Sequence, residues 1–154
     1  MLRALAGFFD QTFGDAEAAT EESREQDLKL ATAVLLVEVA RADFAEDEFE
    51  LDKVAELLRQ HLELSRREVE QLVAEAREQA DHAASLQAFT RQLHEELGVE
   101  EKLRVVEMLW EVALADAKLD KHEDHLVRKV AGLLYVSHSD LIRVRNRVQE
   151  RRSG

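Results

Sequence analysis

Apolar residues recur at intervals of three and four along nearly the whole chain, the spacing typical of helices that bury one face. Two stretches, residues 25–42 and 99–115, are apolar around much of their circumference, which predicts two central helices. The other apolar rows predict five more helices, each opened by a residue suited to a helix N-terminus. These predicted starts are Asp47, Ser65, Ser85, Asp120 and Ser137. The pattern therefore predicts an all-α, single-domain bundle of about seven helices.

Two segments precede this continuous pattern. Residues 2–13 carry Leu and Phe at helical spacing, and we expect an amphipathic helix docked on the protein's own core. The alternative role for this helix is contact with a partner or with a membrane surface. Residues 14–24 are small and acidic and predict a flexible connector. The expected organisation is an N-terminal amphipathic segment with its connector, residues 1–24, followed by a helical domain, residues 25–150.

Composition agrees with a helical domain and narrows the chemistry. The 154 residues suffice for one well-filled core, proline is absent and glycine is scarce. Because there is no cysteine, disulfides, thiolate metal sites and cysteine nucleophiles are excluded. No segment resembles a signal peptide or reaches the length of a membrane-spanning helix, so we expect a cytoplasmic protein.

The net charge of −12 disfavours nucleic acid as a partner, because phosphate backbones would be repelled over most of the surface. The C-terminal end is the exception. Its arginines are expected to complement the dipole of their own helix, and an anionic partner is the alternative. These arginines are Arg143, Arg145, Arg147, Arg151 and Arg152.

One acidic motif occurs twice in the chain. Residues 38–43 and 111–116 share five of six residues in the pattern Glu-Val-Ala-x-Ala-Asp. The register continues, so that each copy holds four acidic residues at the same spacing. The first copy has Glu38, Asp43, Asp47 and Glu50, and the second has Glu111, Asp116, Asp120 and Glu123. A duplicated helix–turn–helix predicts an internal pseudo-twofold repeat.

The inner acidic residues of each copy have two explanations. Asp47 with Glu50, and Asp120 with Glu123, are suited to capping boxes at helix N-termini. The same oxygen ligands suit a hard divalent cation held at the turn. Neither explanation is favoured over the other by the residues alone.

The outer acidic residues are harder to explain by capping. They lie near helix C-termini, where the helix dipole disfavours anions, so a cation or a basic side chain is expected beside them. Arg41 is a candidate in the first copy, but its counterpart in the second copy is Leu114. The outer residues are Glu38, Asp43, Glu111 and Asp116.

These residues are also where the chain resembles the tellurite-resistance TerB-like family. The resemblance rests on the paired Ala-Asp-x-x-x-Asp-x-x-Glu hairpins and on residues 110–116, 123–126 and 133–137, and it covers residues 29–142. It implies an all-helical fold with pseudo-twofold symmetry, a divalent-cation-binding centre and a role in stress responses, often within larger assemblies. The implied ligands are Asp43, Asp47, Glu50, Asp116, Asp120 and Glu123, with Glu38 and Glu111 adjacent.

One departure from the family pattern distinguishes the two copies. The family usually has glycine after the first aspartate, where this chain has Phe44 and Ala117. A bulky phenylalanine is disfavoured at a turn that needs a positive φ. The second hairpin is therefore the better candidate for a bound ion.

The leading functional hypothesis is a domain that binds divalent cations, with Ca²⁺ first and Mg²⁺ or Mn²⁺ as alternatives, and that acts in stress response or as an interaction module. The competing hypothesis is a metal-free scaffold that binds a protein partner through its acidic face or its N-terminal helix. An enzyme is not expected, since no nucleophile elbow, phosphate-binding glycine loop or metalloprotease motif is present, and no small-molecule substrate is indicated.

Overall fold

A computed structural model describes residues 18–42, 48–82, 86–115 and 121–153. These residues form seven helices and no strand, which confirms the all-α prediction. None of the described helices is long and apolar enough to cross a membrane. In chain order the helices are α1 (Ala18–Ala40), α2 (Glu48–Leu62), α3 (Arg66–His82), α4 (Gln87–Glu96), α5 (Val99–Ala113), α6 (Lys121–Leu133) and α7 (His138–Ser153).

The first helix begins earlier than the sequence predicts. Residues 18–24 were expected in a flexible connector, but they form the first two turns of α1, so the connector prediction is wrong for this part. Alanine and glutamate are strong helix formers, and here they extend a helix that is already anchored by its buried C-terminal half. Residues 1–17, which include the predicted N-terminal amphipathic helix, lie outside the described residues.

Helix α1 is the centre of the bundle, as its apolar circumference predicts. It packs against α2, α3, α4, α5 and α6. Every side chain from Ala31 to Val37 is completely buried, including Thr32, whose hydroxyl donates a hydrogen bond to the carbonyl of Leu28 at 2.9 Å. A helix that contacts neighbours on all sides has no face left for solvent, which explains why its sequence shows no amphipathic stripe.

Helix α5 plays the corresponding role for the C-terminal half. Trp110 is fully buried, and its indole Nε1–H donates to the carbonyl of Leu141 on α7 at 3.2 Å. The guanidinium of Arg145, also on α7, lies over the Trp110 ring at 5.6 Å from the centroid. The single tryptophan of the chain therefore joins α5 to α7 by its ring and by its polar atom.

The two halves of the bundle follow a parallel plan. Helix α1 packs on α3 as α5 packs on α7. Both middle helices, α2 and α6, are followed within two residues by a residue with positive φ, which is 53° at Glu63 and 60° at Tyr135. The next helix is then capped by serine: Ser65 Oγ accepts from the Glu68 amide at 3.1 Å, and Ser137 Oγ from the Asp140 amide at 3.2 Å. A duplicated unit is expected to show such parallels, and the pseudo-twofold axis itself stays a prediction.

The Ser65 cap gives a local test of this plan. Glu68 also accepts a hydrogen bond from the Ser65 amide at 3.0 Å, which completes a capping box at the start of α3. We expect Ser65→Ala to lower the free energy of unfolding by about 1 kcal/mol, measured by urea denaturation, because a helix N–H loses its acceptor. Ser139→Ala, at an exposed position inside α7, is the matched control and should change stability by less than about 0.5 kcal/mol. Equal effects of the two substitutions would contradict the role of the cap.

Candidate functional site

The structure describes three of the eight predicted ligand side chains, namely those of Glu38, Glu111 and Glu123. The side chain of Glu50 lies outside the described part, as do four whole residues, Asp43, Asp47, Asp116 and Asp120. Among the side chains that are described, no group of three or more histidine or acidic residues is arranged to hold a metal ion. The ligand set as a whole therefore stays a prediction, and its three described members can be examined one by one.

Glu123 is the most deeply buried of the three. It lies in the first turn of α6 with only 1% of its surface exposed. It shares one helical stripe with Val127 and Val130, which are completely buried, so a carboxylate occupies a core-facing position. Carboxylates are among the side chains least often buried, and the N-terminal turn of a helix is where the dipole favours one. The sequence carries the same stripe in the first copy, where Glu50 precedes Val54 and Leu57.

Glu111, in the last turn of α5, is compensated by a residue from the C-terminal helix. The guanidinium of Arg151 donates to Glu111 Oε1 at 3.0 Å and also contacts Glu107 Oε1 at 2.7 Å. Burial raises the pKa of Glu111, and Arg151 is the largest of the neighbouring charges that oppose this rise. The positive charge that the helix dipole argument requires is thus supplied in the second copy by a side chain of α7.

Arg152 acts beside Arg151 on the same helix end. Its guanidinium donates to the carbonyl of Ala115 at 2.9 Å, just beyond the end of α5. This contact gives the Ala115 carbonyl a hydrogen-bond partner and places a cation near the negative end of the α5 dipole. Arg151 and Arg152 are called the arginine clamp below.

The clamp revises the interpretation of the arginine-rich end. The sequence predicts that these arginines complement the dipole of their own helix, and Arg151 and Arg152 do lie in the last turn of α7. Their contacts, however, are with α5, so the end of one helix neutralises the end of another. Arg143 instead pairs within α7, with Asp140 at 2.7 Å.

The first copy is compensated differently. Arg41, the basic residue expected beside Glu38, forms an ion pair with Asp81 at the end of α3, at 2.7 Å. The pKa of Glu38 is raised mainly by burial, Arg41 lowers it, and Asp81 raises it further. For Glu38 and Glu111, the two outer residues that the structure describes, a basic side chain is therefore nearby, although Arg41 and Arg151 come from different parts of the chain.

Helix α2 brings two further charged or polar residues to the Glu111 region. The charge of Lys53 lowers the pKa of Glu111, and His61 is buried with 7% of its surface exposed. Burial is the main cause that lowers the pKa of His61, while the charge of Glu107 opposes it and those of Arg104 and Arg151 add to it. The polar cluster around Glu111 thus joins α2 of the first half to α5 and α7 of the second.

Together these features define an all-helical domain in which acidic residues lie at the ends of two buried central helices. The chain matches the family described as Tellurite resistance protein TerB over residues 29–146, more than half of its length, and it belongs to that family. No curated protein and no solved structure gave a match. The arginine clamp lies beyond the matched residues.

The clamp makes a prediction about stability and its pH dependence. We expect Arg151→Gln to lower the free energy of unfolding at pH 7 by roughly 0.5 to 1 kcal/mol, because two half-buried carboxylates lose their partner. Arg151 holds the pKa of Glu111 lower than burial alone would. The difference between wild type and variant should therefore be complete at neutral pH and shrink as the pH falls and the carboxylates are protonated.

The matched control is Arg147→Gln, one turn earlier on α7, where the arginine makes no ion pair within 4.0 Å with a described residue. Urea denaturation at a series of pH values compares the two variants with the wild type. A loss of stability in Arg151→Gln that stays the same at pH 3 and pH 7 would contradict the ion-pair explanation.

Proposed function

We propose that the chain is a divalent-cation-binding helical domain, with Ca²⁺ as the favoured ion and Mg²⁺ or Mn²⁺ as alternatives. The single observation that carries the proposal is the burial of Glu123, a carboxylate on a core-facing stripe at the start of α6. All members of the donor set are carboxylates, which are the ligands that these hard cations prefer. The residues we assign as ligands are Asp43, Asp47, Glu50, Asp116, Asp120 and Glu123.

The outer glutamates receive a different role in this proposal. Glu111 is engaged by Arg151, and Glu38 lies in the field of Arg41, so both are assigned to the charge balance around the site and not to ligation. Bound between the carboxylates, a cation would cancel their mutual repulsion. The chain's own contribution is to hold the helix ends in place, which in the second copy is done by the arginine clamp.

The wider role follows from the family. Its description as a tellurite resistance protein supports a function in chemical-stress response. We place this function in the cytoplasm and expect it to involve a protein partner. A catalytic role is not part of the proposal. Nucleic acid is disfavoured as a partner by the net charge of −12.

A metal-free scaffold is the second candidate, and one observation favours it. The structure already supplies basic side chains to the outer carboxylates, Arg151 to Glu111 and Arg41 near Glu38. If the inner acidic residues serve only as helix caps, no cation is needed. The acidic face or the N-terminal segment would then bind a protein partner directly.

Thermal unfolding in EDTA and in millimolar Ca²⁺, Mg²⁺ or Mn²⁺ separates the two candidates. A cation present at 100 times its Kd should stabilise the folded state by about 2.7 kcal/mol and raise the midpoint accordingly. We expect Asp116→Asn combined with Asp120→Asn to abolish this shift. Asp52→Asn, at an exposed position of α2 outside the motif, is the matched control and should retain it.

The absence of a shift with all three cations would refute cation binding and leave the scaffold. Capping alone predicts a different pattern for the double variant: little loss of stability, because asparagine caps a helix about as well as aspartate, and no difference with and without cations.

A further inference from the structure

A polar cleft lies between α4 and the end of α6 and contains no residue of the acidic motif. Its volume is about 330 Å³, within the range of small-molecule sites. One wall is a single face of α4 and the other is formed by the end of α6 and the residues after it. The lining residues are Gln87, Thr90, Arg91, His94, Glu95, Leu133 and Tyr135.

A buried lysine contacts the histidine in this cleft and favours one tautomer of its ring. Lys102, on α5, is 9% exposed, and its Nζ lies 2.6 Å from His94 Nδ1. An ammonium group has only donors, so Nδ1 must be the acceptor and the ring proton lies on Nε2. His94 lines the cleft, so its Nε2–H is the ring donor available to a ligand, and the positive charge of Lys102 lies at the other ring nitrogen.

Tyr135 is unusual in both conformation and exposure. It has a φ of 60°, a conformation in which glycine is favoured and other residues cost about 1 kcal/mol. Its side chain is 77% exposed, and its ring contacts the His94 ring at a centroid distance of 4.4 Å. The turn itself does not require an aromatic residue, because Glu63 fills the equivalent position after α2. An exposed ring at the mouth of a polar cleft is available to a ligand.

The charges of the cleft favour a single anion. Arg91 forms no ion pair with a described residue, and Lys102 adds a second positive charge beside His94. Glu95 is the one carboxylate among the lining residues. A planar carboxylate matches the planar guanidinium of Arg91. We propose that this cleft binds a small organic carboxylate, whose oxygens are held by Arg91 and His94 and whose apolar part packs on Tyr135 and Leu133.

Phenylacetate is the probe for this proposal. Tyr135 is the single tyrosine of the chain, so its ring signals in NMR spectra report on the cleft without ambiguity. We expect phenylacetate to shift these signals in a saturable way with a Kd of about 1 mM. Acetate lacks the ring, benzylamine carries the opposite charge and phosphate lacks the planar carboxylate, so each should bind at least about tenfold more weakly.

Two variants and a control assign the contacts, with the His94 ring signals as the readout. Arg91→Gln should lower the affinity for phenylacetate by about tenfold or more. Arg59→Gln makes an equal charge change at an exposed position of α2 and should leave this affinity unchanged. Tyr135→Gly relieves the left-handed backbone, so it should fold at least as stably, yet it should reduce the affinity for phenylacetate to that for acetate.

Several outcomes would overturn the proposal. The absence of any saturable shift at about 10 mM phenylacetate would exclude a site of useful affinity. Binding of benzylamine or phosphate as tight as that of phenylacetate would exclude the proposed ligand class. Unchanged affinity in Arg91→Gln, or a ring proton on Nδ1 in the nitrogen shifts of His94, would exclude the proposed contacts.

Discussion

The burial of α1 and α5 determines where the structure must compensate acidic side chains with positive charge. Each helix is packed against several neighbours. The acidic residue in its last turns, Glu38 or Glu111, is therefore partly buried. Burial raises the pKa of both Glu38 and Glu111, which means that their charges cost stability at neutral pH unless they are compensated. The charge of Arg41 opposes this cost in one half, and the arginine clamp opposes it in the other.

The features that the sequence predicts well are those determined locally. Helical periodicity defines the number and order of the helices, and the Ser65 and Ser137 caps depend only on residues three positions away. The early start of α1 was missed because small acidic residues resemble a linker, although alanine and glutamate also extend an anchored helix. The burial of Glu123 is predictable from the sequence, because helical spacing puts Glu123 on the same stripe as the buried Val127 and Val130.

The arginine clamp could not be predicted in this way, because Arg151 and Glu111 are brought together only by the packing of α7 on α5. One indirect signal was present. The second copy has Leu114 where the first has Arg41, so its outer carboxylate lacked a basic neighbour in the local sequence. The His94–Lys102 contact likewise joins two helices, and neither residue belongs to a recognisable motif. The repeated motif thus identified Glu111 as a candidate site residue, whereas its partner Arg151 is supplied by tertiary structure.

We propose that the inner carboxylates of the duplicated motif bind a cation at the ends of the central helices. Paramagnetic broadening of backbone amide signals by substoichiometric Mn²⁺ tests this directly, because the effect falls steeply with distance from the ion. We expect the signals of Ala115, His122 and Glu123 to be broadened first, that of Leu93 in α4 to be spared, and EDTA to restore the broadened signals. Weak broadening spread evenly over the acidic surface, with no preference for these residues, would contradict it.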